Sequence, residues 1–169
     1  MGQDFADRHV ARWRDHWIDV SFDDEIEAAT VRIGKVNRHF KDSARSAATE
    51  VGLQPSEYET LHHLMIRDTP GRASPRALAE DLGVSPAGMT GRLDALERAG
   101  YLKRTPSPTD RRGIEVEATG AGVAIWRRAM ALRGRDEEAL LGVLSQGELA
   151  TLNRLLKKLT TTIESGDQP

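Results

Sequence analysis

Ser74-Pro75-Arg-Ala-Leu-Ala-Glu-Asp-Leu82-Gly83-Val84-Ser85-Pro86-Ala-Gly-Met-Thr-Gly-Arg-Leu-Asp-Ala-Leu-Glu-Arg-Ala-Gly100 is the stretch from which the rest of the chain is read. Each Ser-Pro pair places a side-chain acceptor at a helix N-cap and a proline at the first helical position, where its missing N–H costs nothing. Gly83-Val84 leaves room only for a tight turn between the two helices. Gly100 follows the last periodic residue and suits a left-handed C-cap. In the second helix Met89, Leu93 and Leu96 recur at spacings of four and three, so one stripe faces inward. The opposite face carries Ala87, Gly91, Asp94 and Arg98, with Thr90 beside them.

Working outward, Tyr101–Thr105 and Ile114–Ala118 flank the tip Pro106–Gly113 and predict a two-stranded hairpin, with a short strand at Ala73-Ser74 added to its edge. Helix, turn, helix and hairpin make a winged helix-turn-helix, so the predicted fold class is mainly α with a small β-hairpin wing. Small side chains at the start of the second helix let its backbone approach a groove floor, and the free N–H groups of its first turn suit a phosphate. Upstream, Pro55 opens a helix to about Arg67, with Tyr58, Leu61 and Met65 facing inward. His62 and His63 are adjacent and point about 100° apart on a helix, so they cannot chelate one ion from a single face, and no metal site or cofactor is expected.

The N-terminal region reads as a helix over about residues 3–20, with Val10, Trp13 and Trp17 on one side. The tryptophans either pack this helix onto the body or a partner, or one of them walls an aromatic ligand pocket. A longer helix follows to about Val51, with Ile26, Ala29, Ile33, Val36, Phe40 and Ala47 spaced for packing against another helix. After the hairpin, Thr119 caps a helix to about Leu144 with Val123, Trp126, Met130, Leu140 and Leu144 as its buried positions. Gly134 weakens its middle. Ser145-Gln-Gly-Glu148 is a capping box that starts a last helix striped by Leu149, Leu152, Leu155, Leu156 and Leu159. These faces exceed what the central domain covers, which predicts a homodimer with interdigitated termini and two reading heads about one DNA turn (~34 Å) apart. The expected division is N-terminal helices for dimerisation and a ligand pocket at 1–52, a DNA-binding domain at 53–119, and C-terminal dimerisation helices at 120–169.

The whole composition agrees. Of 169 residues, 38% are hydrophobic and 30% charged, and there is no cysteine, as expected of a soluble protein of the reducing cytoplasm. No apolar run is long enough to span a bilayer, and the first residues lack a signal-peptide core. The net charge of −2 is unevenly spread. Residues 1–30 hold eight acids against three arginines, whereas residues 72–112 hold eight bases against five acids. That asymmetry is the footprint of a DNA reader. Asp23-Asp24-Glu25 and His62-His63 are the only clusters of catalytic residue types, and neither has a nucleophile or an orienting partner, so no enzymatic activity is expected.

The sequence resembles the MarR family of bacterial transcription regulators over about residues 25–165. The matching pattern is Leu53-Gln-Pro-Ser-Glu-Tyr-Glu-Thr-Leu61, Leu78-Ala…Leu82-Gly-Val-Ser85, Met89-Thr-Gly-Arg-Leu-Asp-Ala-Leu-Glu97, Gly100-Tyr-Leu-Lys-Arg104 and Asp110-Arg-Arg112. The resemblance implies a dimeric repressor or activator without enzymatic activity, more often a repressor, released from double-stranded operator DNA by a small anionic or aromatic effector. It places Ser85, Pro86, Ala87, Gly88 and Thr90, with Gly91 and Arg92 beyond them, at the major groove. Arg111 or Arg112 would reach the minor groove, with Asp110 holding the wing. The chain also resembles a urate-responsive subgroup with an extra N-terminal helix. That likeness implies a ligand site of Trp13 or Trp17, Glu59 (where the subgroup has an aspartate), Arg92 and Arg104. The two arginines equally suit phosphate contacts, or a pair with Glu59.

Overall fold

The serine–proline punctuation starts helices where the sequence predicts them. The computed structural model describes residues 2–14, 23–107 and 113–166. Within these, α4 (Pro75–Leu82) and α5 (Pro86–Arg98) begin behind Ser74 and Ser85, whose hydroxyl oxygens accept the Ala77 and Gly88 N–H groups, each at 3.1 Å. Gly83 ends α4 at φ 61°, and Gly100 turns the chain out of α5 at φ 76°. Both are left-handed conformations that glycine enters without a Cβ penalty. Helix α3 (Pro55–Met65) precedes this pair, its entry closed by the Gln54 N–H on Glu57 at 2.8 Å.

Strands β1 (Arg72–Ala73), β2 (Leu102–Pro106) and β3 (Ile114–Ala118) form an antiparallel sheet in the order β1-β3-β2. Leu102 lies opposite Ala118 and Pro106 opposite Ile114, and the Ser107 N–H to Gly113 carbonyl bond (2.9 Å) carries the hairpin further toward its tip. The core gathers Tyr58, Leu61, Leu64, Leu78, Met89, Leu93, Leu96, Leu102 and Val116, all buried. Burial of each large aliphatic side chain contributes on the order of 1.5–3 kcal/mol. The fold is thus a mainly helical winged helix-turn-helix, and its core presses α5 from one side only.

Helices α1 (Phe5–Arg14) and α2 (Asp24–Glu50) lead in, and α6 (Gly120–Leu141) and α7 (Gln146–Ser165) lead out. Asp23 caps α2, and Ser145 with Glu148 caps α7 in a reciprocal box. Helix α1 buries only Ala6, and polar contacts join it to α2: Arg32 reaches Asp4 and Asp7 at 2.9 and 2.6 Å, His9 hydrogen-bonds Glu27 at 2.8 Å, and Arg14 pairs with Asp24. The expected helix over residues 3–20 is therefore described only to Arg14, and Trp17 lies outside the described residues. No helix among the described residues is long and apolar enough to cross a membrane.

Two expected stripes are corrected. On α2 the buried residues are Ala28, Ser43, Ala47 and Ala48, so of the expected positions Ala47 is buried and Phe40 half-buried, while Ile26, Ala29, Ile33 and Val36 are exposed. On α6 the buried line is Gly122, Ile125 and Ala129, one position away from Val123, Trp126 and Met130, which are half-buried. On α2 close packing puts small residues at the contact and turns large ones aside. On α6 the face is set by Gly122, where a Cβ would meet the Tyr101 carbonyl oxygen, and the larger Ile125 is buried on that same line. The stripe of α7 forms as a helix face, yet none of its residues is buried on this chain.

Candidate nucleic-acid interface

Helix α5 buries Met89, Leu93 and Leu96 and exposes Pro86, Ala87, Gly88, Thr90, Gly91, Asp94 and Arg98. That division follows from its period: three large apolar residues within two turns anchor one side, and small residues remain on the other. A Cβ added at Gly91 would meet nothing within 4 Å, so this face is open. The first turn offers fewer donors than the sequence implies. Pro86 has none, the Gly88 N–H is used by Ser85, and the Met89 N–H goes to the Ser85 carbonyl at 2.9 Å, which leaves the Ala87 N–H. Thr90 turns its hydroxyl proton back to the Pro86 carbonyl at 2.9 Å, so it presents oxygen lone pairs and a methyl group.

The cations around α5 are mostly engaged. Arg92, half-buried, donates to Glu59 of α3 at 2.8 Å. Arg104 on β2 donates to Asp94 at 2.5 Å and pairs with Glu97, and Glu97 also accepts the Arg104 backbone N–H at 3.1 Å. These ion pairs therefore tie the recognition helix on two sides, to α3 through Arg92–Glu59 and to the wing through Arg104. On the outer face of the sheet Glu117 takes Lys103 at 3.2 Å and Arg72 at 3.4 Å, and these cations hold its carboxyl below the usual range. Glu115 Oε2 is buried without a hydrogen bond, 3.8 Å from Arg72 Nε. Arg76 pairs with Glu80 at 2.8 Å. Among the described residues from 72 to 107, Arg98 alone among the cations lacks a carboxylate partner. Over residues 72–107 the positive charge is thus largely neutralised locally, partly by Glu115 and Glu117 of β3. Asp110, Arg111 and Arg112 lie outside the described residues.

The effector residues implied by the resemblance are brought together only in part. Glu59 and Arg92 form a pair, Arg104 is held on the far side of α5, and Trp13 sits on α1 with its ring 5.8 Å from His9. Glu59 instead opens onto a cavity of about 540 Å³ that Trp13, Arg92 and Arg104 do not line. Its walls include Lys41 and Arg45 of α2, Tyr58 and His62 of α3, and Arg133 of α6. The Tyr58 hydroxyl receives Arg133 Nη1 at 3.3 Å and donates to the Met130 sulfur at 3.3 Å, while Arg133 Nε pairs with Glu137 at 2.6 Å. His62 stacks on Tyr58 and accepts the Trp126 indole N–H on Nδ1 at 3.3 Å, which fixes a neutral Nε2–H tautomer. Burial, with Arg133 and His63 nearby, lowers the His62 pKa in the same direction. Sequence reasoning missed this cavity, although Lys41/Arg45 and Tyr58/His62 are each spaced by four and so share a helix face.

The sequence profile of the MarR family matches residues 51–113. A proposed transcriptional regulatory protein for the hcr operon of Thauera aromatica is 33% identical over 120 residues, 71% of this chain and 70% of that protein. The chain belongs to the MarR family. The HTH-type transcriptional regulator PecS of Dickeya dadantii is 27% identical to this MarR-family chain over 150 residues, 89% of each protein. A mutant of MarR from E. coli, crystallised in complex with operator DNA, superimposes with a TM-score of 0.62 at 28% identity, covering 83% of this chain and 99% of that one.

Proposed function

We propose that this MarR-family chain is a homodimeric transcriptional regulator that binds a pseudo-palindromic operator in the cytoplasm. It acts as a repressor that lets go when a small anionic or aromatic effector binds. The bare outward face of α5 carries this reading. Ala87, Gly88, Thr90 and Gly91 keep the helix thin where a major-groove floor must come within hydrogen-bonding reach. The operator complex of the E. coli relative supports DNA as the partner. The exposed stripes of α2 and α7 support a second copy of the chain. Two adjacent arginines at the wing tip suit a narrow, electronegative minor groove.

A shift assay with fragments selected from source DNA, repeated across a salt series, tests this. Wild type is expected to retain a palindromic duplex with steep salt dependence. Alanine at both Arg111 and Arg112 is expected to weaken binding roughly 10- to 100-fold and to reduce the salt slope by about 2, one unit per lost contact. An unchanged slope in that double variant removes the wing from the interface. No retained band at low salt removes DNA as the partner and revives a protein-binding winged helix.

For the effector, Trp13, Arg92 and Arg104 of the site implied by the urate-responsive subgroup do not share one cavity with Glu59, so we favour the cavity that Glu59 does line. Lys41, Arg45 and Arg133 supply positive charge there, and Tyr58 and His62 supply flat apolar walls. An aromatic anion held by these bases crowds Glu59, whose carboxylate otherwise holds Arg92 of the recognition helix. Loss of that tie loosens α5 and couples occupancy to DNA release. With aromatic carboxylates and urate as probes, the Lys41→Ala/Arg45→Ala variant should need about tenfold more effector for release. If Arg92→Ala alone abolishes the response and the double variant behaves as wild type, the effector sits at the subgroup's site instead.

A further inference from the structure

We propose that the backbone joint between Gly122 and Tyr101 determines which operator half-site spacing the dimer accepts, an inference that rests on the dimeric DNA-reading function above. The end of α5 and the start of α6 meet without an intervening side chain. Gly100, at φ 76°, closes α5, and the Tyr101 N–H returns to the Leu96 carbonyl at 2.9 Å. From the other side the Thr119 N–H donates to the Tyr101 carbonyl at 3.0 Å, and the Thr119 hydroxyl donates to the Gly100 carbonyl at 2.7 Å. That hydroxyl oxygen also accepts the Gly122 N–H at 3.1 Å, capping α6. A Cβ on residue 122 would stand 1.9 Å from the Tyr101 carbonyl oxygen and 2.9 Å from its carbon. The first turn of α6 therefore rests directly on the backbone that terminates the recognition helix.

Such a contact is stiff. Long side chains can re-rotamer when two elements tilt, but backbone atoms in contact cannot, and tilting here also breaks hydrogen bonds between main-chain groups. Ile125 and Ala129 continue the attachment one and two turns on, in the same buried cluster as Met89, Leu93 and Leu96. Helix α6 then runs toward the exposed C-terminal stripe. In a dimer joined through those terminal helices, the angle of each α5 to its partner's is transmitted through Gly122. Adding one base pair between half-sites moves the second by about 3.4 Å and rotates it by about 34°, a change a stiff joint cannot follow.

The test is a series of palindromic duplexes carrying the selected half-sites at the natural spacing and with one or two base pairs added or removed, together with a single half-site duplex. Wild type is expected to lose about tenfold or more per inserted or deleted base pair. Gly122→Ala must lift α6 off the Tyr101 carbonyl toward an ordinary contact of 3.4 Å or more. It is expected to shift the preferred spacing, or to flatten the series to within about threefold, while half-site affinity stays within about threefold of wild type. If thermal melting shows that Gly122→Ala does not fold, Thr119→Val decides in its place, with Thr119→Ser expected to restore the wild-type profile. The inference is overturned by a wild-type profile indifferent to spacing, by variants that keep wild-type optimum and sharpness, or by an equal loss on every duplex including the half-site. Failure of the wild type to bind any palindrome overturns the dimeric reader itself and this inference with it.

Discussion

Gly91→Glu is expected to abolish operator binding while leaving the protein folded and, if anything, slightly more stable. The two effects separate because of where Gly91 stands. It lies inside α5, where glycine costs up to about 1 kcal/mol against a good helix former, and glutamate is a good helix former. Nothing within 4 Å obstructs a Cβ there, so the substitution meets no wall in the free protein. On DNA the same side chain would stand between α5 and the groove floor, adding bulk and a carboxylate among phosphates. Like-charge juxtaposition at an interface costs several kcal/mol, so affinity should fall by more than about a hundredfold. Thermal melting and a low-salt shift assay read the two effects independently. Operator binding within about threefold of wild type would mean that another surface meets DNA.

The second large effect concerns α7. Leu155 and Leu159 are 49% and 51% exposed on the single chain, so Leu155→Glu with Leu159→Glu removes little from the core described here. Glutamate preserves the helix, and leucines this exposed already forgo about half of their burial energy. If these residues meet a second copy, the same change places two unpaired carboxylates in an apolar seam, at a cost of several kcal/mol. The expected result is a particle of half the molar mass by light scattering, with operator affinity lower by more than about a hundredfold because only one head can engage. A variant that remains dimeric and binds tightly would locate the seam elsewhere, with the exposed Ile26–Ile33–Val36 side of α2 as the next place to probe.

How legible the protein was in its sequence depended on the kind of residue carrying the signal. Ser74, Ser85 and Ser145 announced helices because a capping hydroxyl acts locally, and each cap is found in place. The Met89–Leu93–Leu96 stripe was equally clear, since large apolar residues on a short helix have one way to face. Ala47 was read correctly on α2, but α2 and α6 misled elsewhere because their contacts also use Ala28, Ala48, Gly122 and Ala129, with Ile125 the one large residue among them. Small residues that allow close approach do not stand out from neighbouring isoleucines and valines by hydrophobicity. The Arg92–Glu59 pair was one of the alternatives the sequence left open. The double hold of Asp94 and Glu97 on Arg104 was not foreseen, because it depends on how the wing strand folds back beside α5. The cavity beside Tyr58 needed three helices to be placed before Lys41, Arg45 and Arg133 could be seen as neighbours.

The engaged state of the cations near α5 bears on how such a protein searches a chromosome. Random duplex attracts a protein through unpartnered lysines and arginines, and Arg72, Lys103, Arg92 and Arg104 already satisfy internal carboxylates. Each of these four would have to exchange one anion for another, so the steep salt dependence expected of operator binding rests on the other cations, the two wing arginines foremost. On the proposed reading, arbitrary DNA then gains little from these four side chains, and shape and base edges carry more of the discrimination.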